Sequence, residues 1–114
     1  MFAADPKYVQ TRQRVENYFD RTATRTWEQL TSDAPVSGIR ATVRAGRDQM
    51  RSMILDQFPA DMTGLRVLDA GCGTGALAFE LAGRGATVVA VDISPELIKI
   101  AENRCPANVK SRIE

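Results

Sequence analysis

The stretch VLDAGCGTG, residues Val67–Gly75, decides the fold, because an apolar run closes on Asp69 and glycines then stand at positions 71, 73 and 75. Glycine lets the backbone take positive φ and leaves no Cβ between the chain and a ligand. A helix that begins directly after such a turn offers unpaired N–H groups to an anion. The stretch therefore predicts a turn that holds a nucleotide-like cofactor with a negatively charged group.

The residues around this stretch alternate between strand and helix patterns. They predict a strand, a helix and a buried strand over residues 65–69, 75–82 and 87–92. Ser94, followed by Pro95, is the expected N-cap of another helix that runs to about Arg104. This βαβα order implies a parallel sheet with a right-handed crossover. Two strands are too few for such a sheet, and a third could start within 109–114, so a fragment of an α/β domain is expected.

Two carboxylates flank the glycine turn. Asp92 ends the second predicted strand, 21 residues after Gly71, where a doubly wound fold places the acid that binds the ribose hydroxyls. A dinucleotide site reads G-x-G-x-x-G, whereas the spacing here is G-x-G-x-G and Asp69 precedes the first glycine by two residues. A carboxylate there repels a pyrophosphate but pairs with the ammonium group of a methionine moiety. S-adenosylmethionine is therefore favoured over NAD.

Val67–Gly75, followed by VVAVDISP at Val88–Pro95, resembles the first motif and second-strand acid of class I S-adenosylmethionine-dependent methyltransferases. The resemblance implies a Rossmann-like, three-layer αβα fold with a mostly parallel sheet, of which this chain holds the first βαβα part after an N-terminal helical arm. It assigns residues 1–60 to the arm, on the substrate side, and 61–114 to the cofactor-binding domain. The cofactor-binding residues that it implies are Asp69, Ala70, Gly71, Cys72, Gly73, Gly75, Asp92 and Ile93.

The first sixty residues predict helices. Helical spacing of apolar residues indicates a first helix from Pro6 to about Arg21, and residues 22–38 form a loop or a second, shorter helix. A longer helix is expected to be capped by Ser37 and stopped by Pro59. Its apolar stripe consists of Ile39, Val43, Gly46, Met50, Ile54 and Phe58.

Four arginines repeat beside that stripe, at positions 40, 44, 47 and 51. They form either a solvated face, with Arg44 paired to Asp48, or a row of which some members bind carboxylates. The sequence leaves both interpretations open.

Composition limits the chemistry. Fifteen basic and fourteen acidic residues leave a net charge of +1, which gives no bulk electrostatic case for binding nucleic acid. The chain has no histidine, and its two cysteines, Cys72 and Cys105, are too few for a zinc cage, so no metal site is predicted and both thiols are expected to be reduced. Met1–Asp5 shows no leader pattern, and no stretch has the length of a membrane span, so a cytoplasmic protein is predicted.

The stretch VENYFD at Val15–Asp20, then Trp27, then Gly38–Arg47 resembles the amino-terminal arm of magnesium-protoporphyrin IX O-methyltransferases of bacteriochlorophyll synthesis. The resemblance implies methyl transfer from S-adenosylmethionine to a propionate of Mg-protoporphyrin IX, which gives the monomethyl ester. A propionate is already ionised near neutral pH, so no catalytic base is required or assigned.

The expected substrate contacts are Tyr18, Trp27, Arg44 and Arg47, although the aromatic residues are equally typical of helix packing. Relatives of the oxygenic branch carry a tyrosine where this chain reads Gln29–Ser32, so that tyrosine's role does not transfer. The resemblance also implies a handover from magnesium chelatase and loose association with the photosynthetic membrane.

Two other interpretations stay open. One is a class I methyltransferase for another small acceptor, such as a quinone precursor, which needs a base to ionise a phenol. The other is an inactive, truncated cofactor-binding piece that exposes apolar sheet surface and an unpaired edge. On either enzymatic interpretation, the 114 residues alone are expected to be inactive.

Overall fold

The computed structural model describes residues 5–114, apart from the side chains of residues 22 and 23. The elements are, in order, α1 (Pro6–Asn17), a π-helical segment (Tyr18–Ala23), α2 (Thr24–Thr31), α3 (Ile39–Leu55), β1 (Arg66–Ala70), α4 (Ala76–Gly83), β2 (Thr87–Val91), α5 (Pro95–Arg104) and a 3₁₀ turn (Lys110–Arg112). The first four residues, for which no leader is predicted, lie outside the described part. Among residues 5–114, no helix combines the length and the apolar character that crossing a membrane requires.

The sheet is parallel, as the βαβα order predicts. β1 and β2 pair from Arg66 opposite Thr87 to Ala70 opposite Val91, and α4 forms the crossover between them. The far edge of β2 binds the end of the chain, where Glu114 donates its N–H to Val88 O at 2.8 Å and accepts the Ala90 N–H at 3.0 Å. A parallel bridge between Val88 and Ile113 accompanies these bonds. The expected start of a third strand is therefore confirmed.

Only one face of this sheet is covered by the described residues. The core on that face joins the sheet to α4, to the end of α3 and to the loops after α3, α4 and α5. Its buried members are Leu55, Met62, Ala78, Leu81, Ala82, Ala86, Val88 and Val109. Because alternate strand residues point to opposite faces, Asp69 shares the covered side with Val67, which packs on this core. On the other face, Leu68 and Val91 remain 65% and 45% exposed.

Three helix boundaries differ from the prediction. The first α-helix ends at Asn17, four residues before Arg21, because the backbone there widens into the π-helical segment. The predicted cap at Ser37 is wrong, since Gly38, at φ 59°, occupies the N-cap position and no side chain bonds there. α3 ends at Leu55 rather than at Phe58, and Arg84 donates to the carbonyl oxygens of both residues, at 2.8 and 3.2 Å.

The apolar stripe of α3 is largely exposed. Ile39 is 83% exposed and Met50 is 64% exposed. Three of the four arginines beside the stripe have partners: Arg44 a carbonyl oxygen, Arg47 an aromatic ring and Arg51 a carboxylate. The arginine-bearing side of α3 therefore faces α2 and the glycine turn.

Candidate functional site

The glycine turn, Gly71–Gly75, joins β1 to α4 in a conformation that disfavours a side chain at its glycine positions. Gly73 and Gly75 take φ values of 56° and 92°, which L-residues with a Cβ rarely adopt. A Cβ at Gly75 would also lie 2.6 Å from the Phe79 ring. The N–H groups of Gly71 and Cys72 both donate to Val91 O, at 2.7 and 2.9 Å. The turn is thus closed against the end of β2.

Asp92, the residue that follows β2, holds the glycine turn in place. One carboxylate oxygen accepts the Gly73 N–H at 2.8 Å, and the other accepts the Ser94 N–H at 2.9 Å. A carboxylate offers about four acceptor positions, so Asp92 can still accept hydrogen bonds from a ligand. Two backbone segments therefore hold an acceptor at the mouth of the turn.

Asp69 carries a buried oxygen without a partner. Its Oδ2 is inaccessible to solvent and forms no hydrogen bond with the described residues. Burial, and secondly the charge of Asp92, raise the pKa of this carboxyl above its usual range. An unpaired buried acceptor costs folding free energy. A cationic donor that reached Asp69 would relieve both the missing bond and the repulsion.

Cys72 is a neutral group within this acidic region. Burial, with contributions from Asp69 and Asp92, raises the pKa of its thiol to about 11. The thiol therefore stays protonated near neutral pH and acts as a small packing group rather than as a nucleophile.

The helical arm, residues 5–60, covers the glycine turn. A cleft of about 570 Å³ lies between them, within the range of small-molecule sites. The residues that line it are Phe19, Trp27, Arg47, Gly71, Cys72, Gly73, Val91, Asp92, Ile93 and Leu97. Trp27 lies so close that its indole nitrogen would be 3.4 Å from a Cβ at Gly73. The Arg47 guanidinium carbon lies 4.4 Å from the centre of the Trp27 ring system.

The structure brings together most of the predicted cofactor residues, although their role stays a prediction. Five of the eight line the main cleft: Gly71, Cys72, Gly73, Asp92 and Ile93. Asp69 lines an adjoining groove of about 250 Å³, which also includes Gly71 and Cys72. Gly75 is buried at the start of α4, and Ala70 is exposed at the end of β1.

The predicted substrate residues are less uniformly placed. Trp27 and Arg47 line the main cleft, whereas Tyr18 is 54% exposed in a separate groove on the arm. Arg44 donates to the carbonyl oxygens of Leu30, at 2.9 Å, and Gln29, at 2.6 Å. The predicted pair of Arg44 with Asp48 is wrong, because Arg44 is drawn to the end of α2.

Two residues near the site were not assigned from the sequence. Arg51 pairs with Asp48 at 3.1 Å and lines the groove that contains Asp69. Its spacing placed it in the arginine row, but spacing alone did not show which arginines face the turn. Asp20 binds the segment after Asp92, and no local signal predicts a contact across so many residues.

Comparison with known proteins gives consistent relatives. A family model described as a methyltransferase domain matches residues 67–114. The chain is 58% identical over 107 residues to the magnesium-protoporphyrin O-methyltransferase of Rhodobacter capsulatus, which covers 93% of this chain and 48% of the relative. The magnesium-protoporphyrin O-methyltransferase of Synechocystis is 34% identical over 92 residues, which are 79% of this chain and 40% of that relative.

A solved structure agrees with these relatives. The crystal structure of magnesium protoporphyrin IX methyltransferase from Synechocystis with bound SAH superimposes with a TM-score of 0.81 at 30% identity, over 87% of this chain and 46% of that one. Both predicted resemblances and the predicted fold class are confirmed. The chain spans about half the length of the curated relatives it matches.

Proposed function

We propose that this chain, which belongs to the class I S-adenosylmethionine-dependent methyltransferases by its fold, is the arm and cofactor-binding part of an enzyme that methylates a propionate of Mg-protoporphyrin IX. The observation that carries the proposal is the buried, unpaired oxygen of Asp69 beside the glycine turn. It fits the ammonium group of S-adenosylmethionine and does not fit a pyrophosphate. The acceptor is inferred from the relative in Rhodobacter capsulatus, whose similarity extends through the arm.

Different described residues contact different groups of the cofactor. Asp69 receives the ammonium group, and Asp92 accepts hydrogen bonds from the ribose hydroxyls while Gly73 and Ser94 hold its two oxygens. Arg51, in the groove with Asp69, is the cation for the carboxylate of the methionine moiety. Ile93, which lines the same cleft as Asp92, would supply apolar surface for the adenine.

The arm residues receive the acceptor. Trp27 and Arg47 line the cleft together with the glycine turn, so the arm offers an aromatic surface and a guanidinium to a flat macrocycle with carboxylates. Burial, and secondly the charge of Arg51, lower the pKa of Arg47. The charged guanidinium is therefore less stable here than in water, and an incoming carboxylate would stabilise it. The division into an arm, residues 1–60, and a cofactor domain, residues 61–114, belongs to this proposal, with Tyr18 and Arg44 as further acceptor contacts.

The chemistry needs positioning rather than proton transfer. S-adenosylmethionine supplies an electrophilic methyl group, and the propionate is already an anion near neutral pH. The chain has no histidine, and no general base is required. The residues of the cleft accelerate the reaction by alignment of the reacting atoms and exclusion of water. The handover from magnesium chelatase and the loose membrane association are parts of the proposal that rest on the resemblance alone, and a cytoplasmic location is a part that rests on the sequence pattern alone.

The test is chromatographic. The 114-residue chain, and a protein that extends it to the length of its relatives, are incubated with S-adenosylmethionine and either Mg-protoporphyrin IX or a phenolic quinone precursor. We expect the porphyrin monomethyl ester from the extended protein alone, and its loss in the variant Asp69→Asn. Methylation of the phenol without the porphyrin would favour the quinone-type enzyme, and no binding of S-adenosylhomocysteine by the extended protein would refute the proposal.

A further inference from the structure

Asp20 connects the arm to the cofactor-binding half of the chain. It lies in the π-helical segment, and its Oδ1 accepts a hydrogen bond from the Ser94 hydroxyl, 74 residues away in sequence. The same oxygen accepts the Glu96 N–H at 3.2 Å. Both donors belong to the start of α5, so Asp20 supplements the N-cap of a helix to which it is not covalently adjacent.

Ser94 links Asp20 to the carboxylate of Asp92 through two hydrogen bonds. The Ser94 side chain is fully buried, and its backbone N–H donates to Asp92 at 2.9 Å. Its hydroxyl oxygen also accepts the Leu97 N–H at 3.2 Å. A serine hydroxyl has a single proton, so donation to Asp20 fixes the hydroxyl rotation and leaves a lone pair to accept the Leu97 N–H. Ser94 is therefore held from three directions.

The bonds form one continuous path. It runs from Asp20 through Ser94 to Asp92, whose second oxygen accepts the N–H of Gly73 at 2.8 Å. The residue before Asp20, Phe19, lines the cleft. The π-helical segment thus presents an aromatic side chain to the cleft and a carboxylate to α5 from consecutive positions, in keeping with the frequent occurrence of π-bulges at functional sites.

We propose that Asp20 is a positioning residue, which holds Ser94 and thereby sets the orientation of the ribose-binding carboxylate of Asp92. The arm would then do more than wall the cleft, because its docking on α5 shapes a cofactor contact that Asp20 itself never touches. This inference rests on the proposed function in one respect, the assignment of Asp92 to the ribose.

A second contact between the same arm and the same helix supplies a matched control. At the other end of α5, Arg104 donates to the Thr31 hydroxyl at 2.9 Å and to Glu28 O at 3.1 Å. Replacement of Arg104 should weaken arm docking, and none of the bonds that Arg104 makes involves Ser94 or Asp92. A purely structural role for Asp20 predicts the same behaviour from Asp20→Ala and Arg104→Ala.

The variants Asp20→Ala, Asp20→Asn and Arg104→Ala are compared in the extended protein by two measurements. Hydrogen exchange without ligand reports on residues 92–97, and calorimetry gives the dissociation constant of S-adenosylhomocysteine. For Asp20→Ala we expect about tenfold faster exchange in this segment and about tenfold weaker binding, the order of one charge-assisted hydrogen bond. Asp20→Asn keeps an acceptor oxygen and should recover most of the affinity, and Arg104→Ala should change it less than twofold.

The outcomes separate the inference from the function on which it rests. Unchanged exchange at residues 92–97 in Asp20→Ala would overturn the positioning role whether or not any cofactor binds. Equal losses of affinity in Asp20→Ala and Arg104→Ala would also overturn it, in favour of general arm docking. If the parent protein failed to bind S-adenosylhomocysteine, the proposed function would fail, while the exchange measurement would still decide the role of Asp20.

Discussion

Replacement of Asp69 by asparagine should make the protein more stable and worse at binding its cofactor. The carboxylate is buried on one oxygen, has no described hydrogen-bond partner for that oxygen and is repelled by Asp92. Asparagine has nearly the same shape but no charge, so it removes the desolvation cost and the repulsion together. The same change removes the charge that we propose binds the ammonium group of S-adenosylmethionine.

The two effects differ in size as well as in sign. The carboxylate is only half-buried, so solvent screening limits the stability gain of Asp69→Asn to about 0.5–1 kcal/mol, or about 2–4 °C in melting temperature. A charge-assisted hydrogen bond to the ammonium group is worth about 1.5–3 kcal/mol, so the affinity for S-adenosylhomocysteine should fall about ten- to a hundredfold. Differential scanning calorimetry and titration calorimetry measure the two quantities separately.

The pH dependence provides an internal check. The pKa of Asp69 is raised on folding from a reference value of 3.8, so the folded chain binds this proton more tightly than the unfolded chain. The destabilising contribution of Asp69 is therefore present above the raised folded pKa, falls as the pH drops through that pKa and disappears below 3.8. Cofactor affinity should weaken over the same interval, and Asp69→Asn should abolish both trends. A variant that is less stable than the parent, or that binds S-adenosylhomocysteine equally well, would refute this reasoning.

Two substitutions and one labelling experiment test other parts of the site. Gly75→Ala should lower the free energy of unfolding by at least about 2 kcal/mol, because the φ of 92° is strained for alanine and the Phe79 ring must move; a melting temperature within a degree of the parent would contradict this. Cys72 has a thiol pKa of about 11, so only about one thiol in a thousand should be ionised at pH 8. Peptide mass spectrometry after brief iodoacetamide treatment should therefore find Cys72 unmodified. Rapid alkylation of Cys72 in the folded protein would contradict the burial of this thiol. Arg44→Ala should lose about 1–2 kcal/mol of stability through its two carbonyl bonds, as urea titration would show. It should also weaken porphyrin binding and leave the binding of S-adenosylhomocysteine unchanged; porphyrin affinity equal to that of the parent would count against Arg44 as an acceptor contact.

The cofactor half could be read from sequence because its signals are local. The glycines of the turn, the acid at the end of β2 and the cap at Ser94 act within a few residues of the structures they determine. Ser94, for example, caps α5 through its bond with Leu97, three residues away. Patterns of this kind predicted the bounds of β1, α4, β2 and α5 to within about one or two residues.

The arm was less predictable because its side chains choose among distant partners. The spacing of Arg44 and Asp48 allowed an ion pair on one helix, but the carbonyl oxygens at the end of α2 lie closer to the guanidinium in the folded chain. Asp20 bonds to the start of α5 rather than to a neighbour on its own helix. Neither choice is encoded in local periodicity, since each depends on how α2 and the π-helical segment settle on the rest of the chain.

The distribution of charge explains how such a site could work without a base. The carboxylates that line the cleft and the adjoining groove belong to the sheet half, and the arginines belong to the arm. A ligand with an ammonium group therefore binds favourably in one orientation, with that group towards the sheet. A carboxylate then approaches it from the arm. In the proposed reaction, an anionic propionate and a cationic sulfonium become a neutral ester and a neutral thioether. A step that cancels charge is favoured when water is excluded, and Phe19 and Trp27 give the cleft apolar aromatic surface that would contribute to that exclusion once ligands fill it. On this view the arm contributes to the rate through its apolar surface as well as through the contacts it makes with the acceptor.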